Sequence, residues 1–255
     1  MMSIHAAAAT GFEAAADAYA RGRPDYPAAI DTWLAATLGL RPGSVVVDLG
    51  AGTGKFTARL VATGADIIAI EPVDAMRARL AADLPSVRAL AGTAEAIPLP
   101  DASVDAVVCA QAFHWFATAS ALSEIRRVLR PGGRLGLIWN ARDETPAWGP
   151  ALTALVARYE GDTPRFSSGA WRKAFPHPGF GPLEEQRFTH THAGPPEQVL
   201  VDRMLSVSYI ASLPAAEQQA LAARIRSLAA STPEFANEAE IVVPYVTLAV
   251  AARAV

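Results

Sequence analysis

The chain has 255 residues, of which 51% are hydrophobic and 18% charged, and its formal net charge is −3. This composition excludes an intrinsically disordered chain, and 22 basic against 25 acidic residues give no sign of a nucleic-acid-binding surface. With a single cysteine, Cys109, no intramolecular disulfide can form, so a reducing compartment is indicated. The sequence contains no recognisable membrane span or signal peptide. We therefore expect a cytoplasmic protein with neither a membrane nor a nucleic-acid partner.

The first part of the chain is predicted to be helical. Apolar residues recur with helical spacing over 12–20 and again over 27–40, and a turn rich in glycine and proline separates the two stretches. We interpret residues 1–43 as a helical cap that precedes the first strand.

Residues 44–142 alternate regularly between strand and helix patterns. Strands are predicted from short β-branched runs at 44–50, 66–71, 86–92, 104–111 and 134–140. Helical spacing follows at 53–63, 73–84 and 119–129. Repeated strand–helix–strand units require right-handed crossovers, which build a parallel sheet with helices on both faces. The predicted fold class is therefore an α/β doubly wound domain.

The regular alternation ends after residue 142. The rest of the chain, 143–255, is predicted to complete the sheet and to carry a helical insertion on the substrate side. In order, we predict a helix at 152–159, a loop at 160–182, a strand at 183–192, helices at 196–207 and 214–230, and a strand at 240–254.

The turn after the first predicted strand reads "DLGAGTG" and contains the candidate cofactor loop. Ligands of open parallel sheets bind beyond the carboxyl ends of the strands, where the strand order reverses. Gly50 and Gly52 match the dinucleotide fingerprint G-x-G-x-x-G, but Lys55 stands where its third glycine is required. The pattern is instead G-x-G-x-G, completed by Gly54, and Asp48 before it can meet an ammonium group or water. The spacing favours a cationic nucleoside without phosphate over NAD(P).

The second predicted strand ends at Glu71, which can accept hydrogen bonds from both hydroxyls of a ribose. An NAD enzyme has the same acid at this place, so Glu71 does not separate the two cofactor classes. A solvated acid at a strand end is the alternative interpretation.

Four successive segments resemble a known enzyme family. They are "VVVDLGAGTGKFT", "IIAIEPVDAMRARL", "ALAGTAEAIPLPDASVDAVVCAQAFHWF" and "EIRRVLRPGGRLGLIWN". In this order they are similar to the motifs of class I S-adenosylmethionine-dependent methyltransferases of the small-molecule branch called type 11, and the similarity covers residues 12–142. It implies a seven-stranded sheet in the order 3-2-1-4-5-7-6, whose antiparallel seventh strand is 240–254. It also implies S-adenosyl-L-methionine as cofactor, S-adenosyl-L-homocysteine as product and a small organic methyl acceptor.

The resemblance also implies the residues that bind the cofactor. Those assigned to its carboxylate, methionine, ribose and adenine portions, in chain order, are Tyr19, Arg23, Asp48, Gly50, Ala51, Gly52, Glu71, Pro72, Val73, Thr93, Ala94, Glu95, Gln111 and Ala112. For Arg23, a charge at a helix end beside a proline turn is the alternative.

Four residues that follow the fourth and fifth strands are candidates for the substrate pocket: His114, Trp115, Asn140 and Arg142. His114 is a candidate general base, although together with Trp115 it can equally shape the pocket, and a carboxylate acceptor needs no base. Arg142 favours an acidic substrate or forms a surface salt bridge. We expect a carboxylic acid or a hydroxylated metabolite as acceptor.

Two histidines, His190 and His192, share one face of a predicted strand, but no third ligand completes a metal site, so no metal is expected. Cys109 lies inside an apolar strand and is interpreted as a core residue. Two other functions stay open at this point: an NAD(P)-dependent oxidoreductase and a non-catalytic module that binds the cofactor.

Overall fold

A computed structural model describes residues 22–255 of the chain. Its strands are β1 (Val45–Leu49), β2 (Asp66–Ile70), β3 (Arg88–Leu90), β4 (Val104–Ala110), β5 (Leu129–Arg142), β6 (Glu184–Gly194) and β7 (Ile241–Arg253). Each lies at a predicted strand, but β5 begins earlier than its apolar run because Leu129 already pairs with Val104, ahead of a register shift. The proline and glycines at 131–133 therefore lie within the strand and do not precede it.

The seven strands form one sheet in the order β3-β2-β1-β4-β5-β7-β6. β1 pairs in parallel with β2 and β4, β2 with β3, and β4 with β5. Ala254 N donates to Gly133 O, and Asp143 N donates to Pro244 O, each over 2.9 Å. Residue numbers thus fall along β7 as they rise along β5, so the two strands are antiparallel. The predicted sheet, including its antiparallel seventh strand, is confirmed.

The helices of the described residues are α1 (Ala29–Ala36), α2 (Thr57–Val61), α3 (Asp74–Asp83), α4 (Ala119–Val128), α5 (Gly149–Ala157), α6 (Arg203–Leu205), α7 (Ser208–Ala211) and α8 (Ala215–Ser231). A π-helix, Glu197–Asp202, runs directly into α6. α2 begins four residues later than predicted, because the glycine loop occupies the space of its first turn. None of these helices is both long and apolar enough to cross a bilayer.

The chain divides into two compact units. The larger unit contains residues 27–139, 164–188 and 247–255, and the described part of the smaller unit contains 22–26, 140–163 and 189–246. The three-part division predicted from the sequence (1–43, 44–142 and 143–255) stays a prediction.

Each unit has its own hydrophobic core. In the larger unit α4 buries Leu122 and Ile125 against strand residues such as Val107 and Leu137. This spacing of three to four residues gives the helix a continuous apolar face. Cys109 is fully buried in the same core, where burial raises the pKa of its thiol well above the usual value. In the smaller unit α5 and α8 contribute to a second core, lined by Trp148, Leu152, Val156, Leu221, Ile225 and Tyr245.

The strand order reverses between β1 and β4, which are neighbours in the sheet. Because β1, β2 and β4 are parallel, their carboxyl ends lie at the same edge. This is the position at which doubly wound sheets bind ligands. The loops after these three strands therefore surround the candidate site in the larger unit.

Candidate functional site

The loop after β1 makes a sharp turn because three of its residues have a left-handed backbone. Gly50, Gly52 and Gly54 have φ angles of 74°, 60° and 88°, a region that glycine adopts without steric cost. Gly50 N and Ala51 N donate to Ile70 O over 2.8 and 3.2 Å, which holds the loop against the end of β2. A Cβ at Gly50 would lie 2.7 Å from the Cβ of Ala112, so only glycine permits this approach to the segment after β4.

Glu71 fixes the middle of the glycine loop. Its Oε2 accepts from Gly52 N and its Oε1 from Val73 N, each over 2.9 Å, and its side chain is buried. Burial raises the pKa of this carboxyl, whereas the hydrogen bonds from Val73 and Gly52 and the nearby Arg77 oppose the rise. Glu71 therefore joins the ends of β1 and β2 through backbone donors. Sequence reasoning expected a ribose ligand here and missed this link.

Asp48 is a buried carboxylate at the end of β1. Its Oδ2 accepts a 2.6 Å hydrogen bond from the hydroxyl of Thr57, while its Oδ1 is buried without a hydrogen-bond partner in the described part of the chain. The pKa of Asp48 is raised to about 7, chiefly by burial and also by the nearby Glu71, while the hydrogen bond from Thr57 opposes the rise. An unsatisfied buried oxygen is costly, so its presence suggests that this atom meets a bound ligand.

The segment after β4 is held in a conformation that is unusual for a residue with a side chain. Gln111 has a φ of 59°, and its N–H donates to Ile138 O over 2.8 Å. Non-glycine residues in this region store strain, and such positions cluster at functional sites. The chain then forms a 3₁₀ turn, Phe113–Trp115, which begins directly after the buried Ala112.

His114 lies in this turn and is oriented by a buried indole. Nε1–H of Trp139 donates to Nδ1 of His114 over 3.1 Å. Trp139 is itself fixed between Phe166 and Trp171, with ring centroids 4.9 and 4.6 Å away. Because Nδ1 accepts a hydrogen bond, the neutral imidazole carries its proton on Nε2.

The remaining predicted cofactor residues of the larger unit follow β2 and β3. Val73 is buried and Pro72 half-buried immediately before α3, while Ala94 is buried between the half-buried Thr93 and Glu95. A bridge between Thr93 and Ala96 closes the turn after β3.

Three predicted residues belong to the smaller unit, and Tyr19 lies outside the described residues. Arg23 donates from Nη2 to Ser206 O over 3.2 Å, and Asn140 donates from Nδ2 to Asp25 O over 3.0 Å. Arg142 pairs with Glu144 at 2.7 Å, and its side chain is 8% exposed. The salt bridge proposed as an alternative for Arg142 is thus present, but the arginine is buried.

The comparisons with known proteins agree with this geometry. A family model described as "Methyltransferase domain" matches residues 47–137. An uncharacterised methyltransferase of Mycobacterium tuberculosis is 44% identical over 241 residues, which are 94% of each chain. A methyltransferase-like protein of Schizosaccharomyces pombe is 40% identical over 91% of this chain and 90% of its own. The chain belongs to the methyltransferase family.

A solved structure agrees with this assignment. The candidate type II methyltransferase of Anaeromyxobacter dehalogenans is similar to this methyltransferase with a TM-score of 0.66 and 25% identity, over 91% of this chain and 97% of its own. The family predicted from the sequence motifs is confirmed, and membership of this family implies S-adenosyl-L-methionine as the cofactor. Membership of the methyltransferase family does not agree with the alternative of an NAD(P)-dependent oxidoreductase.

The loop after β1 has the features that such a cofactor requires. Asp48 Oδ1 offers a buried acceptor for an ammonium group or a water. A Cβ at Gly52 would reach just one atom of the described residues within 4 Å, Met76 Sδ at 4.0 Å, so the space in front of this residue is open. The residues of this methyltransferase therefore fit the cofactor.

Glu71→Gln tests the link between the glycine loop and β2. One of the two backbone donors, Gly52 N or Val73 N, would then face an amide NH₂ group and lose its acceptor. We expect the free energy of unfolding to fall by about 1–3 kcal/mol and the affinity for S-adenosylhomocysteine to fall with it. Urea unfolding and calorimetric titration measure both effects. Glu238→Gln, at an exposed carboxylate, is the control; equal behaviour of the two variants would contradict the proposed link.

Proposed function

We propose that this methyltransferase transfers the methyl group of S-adenosyl-L-methionine to a small organic acceptor by in-line displacement, with a carboxylic acid or a hydroxylated metabolite favoured. The unpartnered Oδ1 of the buried Asp48 is the observation that carries this proposal, because it supplies a negative group at the strand end where the cofactor would bind. When bound, the cofactor supplies a methyl group on a positively charged sulfur that leaves as a neutral thioether.

The residues of the larger unit would bind and orient the cofactor. Asp48 would accept from its ammonium group directly or through water, and Gly52 gives the backbone close access to it. Glu71, held by two backbone N–H groups, has further lone pairs for ribose hydroxyls. Because the leaving group is already activated, holding the reactants in register can supply much of the catalysis.

His114 would act in this site as a hydrogen-bond donor. The bond from Trp139 occupies Nδ1, so in the neutral ring the proton is on Nε2. A donor suits an acceptor oxygen that carries negative charge, and methylation of a carboxylate needs no proton removal. This tautomer disfavours the role of general base that the sequence left open for His114.

His114→Ala tests this role. The buried Nε1–H of Trp139 would lose its acceptor, so we expect the free energy of unfolding to fall by about 1–3 kcal/mol while the affinity for S-adenosylhomocysteine stays unchanged. Methyl transfer should slow without a change in the shape of its pH profile. A double-mutant cycle with Trp139→Phe isolates the pair, and a coupling energy near zero would contradict the hydrogen bond.

The proposed activity is tested directly with a labelled methyl donor. Pools of small carboxylic acids, phenols and amines are incubated with the full chain and the donor, and labelled products are separated from S-adenosylhomocysteine. We expect label in an acid or hydroxyl pool. Turnover of any acceptor excludes a non-catalytic module, whereas a protein whose melting temperature responds to NADH but not to S-adenosylhomocysteine would refute the proposal.

A further inference from the structure

Four side chains of the smaller unit have buried polar atoms without a hydrogen-bond partner in the described part of the chain. The atoms concerned are Nε and Nη1 of Arg203, Nε of Arg142, Oη of Tyr245 and Nε2 of His190. Native proteins leave few buried polar atoms unpaired, and these four side chains belong to one compact unit. Two are guanidinium groups, which donate but cannot accept. The two guanidinium groups and the Tyr245 hydroxyl can donate to a negatively charged oxygen, whereas Nδ1–H of His190 bonds to the Thr191 carbonyl and leaves Nε2 of the neutral ring as an acceptor.

Two of the four side chains lie on the same face of the sheet. The hydrogen bond from Asp143 N to Pro244 O pairs these residues across β5 and β7, so Arg142 stands opposite Tyr245. Directly opposed residues of an antiparallel pair project their side chains to the same face. The Tyr245 ring also lies 5.7 Å from the ring of His190, between their centroids. Strand pairing and ring contacts therefore connect Arg142, Tyr245 and His190.

Arg203 is carried by the junction of the π-helix and α6. Sδ of the neighbouring residue, Met204, lies 3.8 Å from Nη1 of Arg142, and this contact connects the junction to β5. The backbone of Gly22 runs close to it, since a Cβ there would lie 2.6 Å from Arg203 N. π-helical turns occur frequently at functional sites, because they redirect side chains. Nε and Nη1 of Arg203 have no hydrogen-bond partner within the described residues.

Arg203 lowers the stability of the folded protein if no ligand binds to it. Arg203 is half-buried, but its Nε and Nη1 are buried without an acceptor, and such unpaired donors destabilise the folded state unless a ligand supplies the acceptor. The ion pair with Glu144 uses Nη2 of Arg142 and leaves its Nε unpaired, so a bound anion can still use this arginine.

We propose that the smaller unit binds an oxyanion group, a carboxylate or a phosphate, with Arg203 as the principal cation and with Arg142 and Tyr245 as further donors. This inference goes beyond the proposed function, because it assigns a second ligand-binding site that is built from residues of the smaller unit. A guanidinium binds either group through two parallel hydrogen bonds, and Tyr245 adds a neutral donor.

Arg203→Met is the decisive variant. Thermal unfolding of the full chain is followed with hexanoate, hexanamide or inorganic phosphate at constant ionic strength. Hexanoate or phosphate should raise the melting temperature of the wild type, whereas the uncharged amide should not, and Arg203→Met should lose the response. Without ligand the variant should melt at or above the temperature of the wild type, because two buried N–H groups without acceptors are replaced by apolar atoms. A structural arginine would give the opposite shift.

Two controls separate the possible failures. Arg224→Met removes an exposed arginine of α8 and should respond like the wild type. Tyr245→Phe keeps the ring contact and should weaken anion affinity about 3–10-fold. S-adenosylhomocysteine should stabilise Arg203→Met as it does the wild type; if it stabilises neither, the proposed function fails. The anion site is refuted if no anion stabilises the wild type, if hexanamide acts like hexanoate, or if Arg203→Met keeps the response.

Discussion

Replacing Gly52 by valine is expected to abolish cofactor binding, with a loss of affinity for S-adenosylhomocysteine of at least ~100-fold, or ~2.7 kcal/mol. Among residues 22–255, Met76 Sδ at 4.0 Å is the only atom near a Cβ at Gly52, so the new side chain would fill the region where the cofactor is proposed to bind. The φ of 60° adds strain for a β-branched residue and would turn Gly52 N away from Glu71. Calorimetric titration with S-adenosylhomocysteine measures the loss.

A matched control variant distinguishes two effects of Gly52→Val: the side chain that occupies the cofactor space, and the strain of a left-handed backbone. Gly39 has a φ of 72°, and a Cβ there would meet no atom of the described residues within 4 Å, but this glycine follows α1 and not β1. Gly39→Val should lose about 1–3 kcal/mol of stability, as Gly52→Val does, and should still bind S-adenosylhomocysteine. If Gly52→Val does not fold, Gly52→Ala, which introduces a smaller side chain, is used for the same titration. A folded Gly52→Val protein with unchanged affinity would remove the site from this loop.

The sequence predicts the sheet well because each strand carries its own signal. The β-branched run 104–111 and the helical spacing that follows it are local patterns, and they agree with β4 and α4. Glycines at 50, 52 and 54 mark the loop for the same reason, since each needs a left-handed backbone. The start of α2 was predicted wrongly, because "TGKF" has no local feature to show that the loop continues to Phe56.

Contacts between distant residues could not be predicted in this way. The bond from Trp139 to His114 joins two strand ends, and it decides which imidazole nitrogen is protonated. The hydrogen bond of Thr57 to Asp48 depends on where α2 begins. No sequence pattern marks Arg203 or Tyr245. Only the folded structure shows that their donor atoms are buried without acceptors. Long-range geometry, which decides ionisation and pairing, therefore carries most of the functional information.

The ionisation of Asp48 connects stability to function in this site. A raised pKa means that the folded state keeps its proton between the unfolded value of 3.8 and about 7, while the unfolded state loses it. Stability therefore falls as pH rises through this window, by about 4 kcal/mol at its upper end. Glu71, whose pKa is also raised by burial, adds to the trend in the same direction. A bound cation would relieve this cost, since it favours the ionised carboxylate.

Asp48→Asn is expected to remove most of this pH dependence. At pH 8 the variant should be several kcal/mol more stable than the wild type without cofactor, and its denaturant midpoint should vary less between pH 4 and 7. It should bind S-adenosylhomocysteine about 10–100-fold more weakly at pH 8, because a hydrogen bond from an ammonium group to a charged acceptor is lost.

In the wild type the dissociation constant should decrease as pH rises toward 7, by up to about tenfold per unit, since binding then no longer requires Asp48 to release a proton. Thr57→Val, which removes the hydrogen bond that lowers the pKa of Asp48, should move the midpoint of this dependence to higher pH. A wild-type affinity independent of pH, or a Thr57→Val midpoint that moves to lower pH, would contradict an ionisable Asp48 in contact with the cofactor. Calorimetric titration across this pH range distinguishes these results, because it measures both the affinity and the number of protons released on binding.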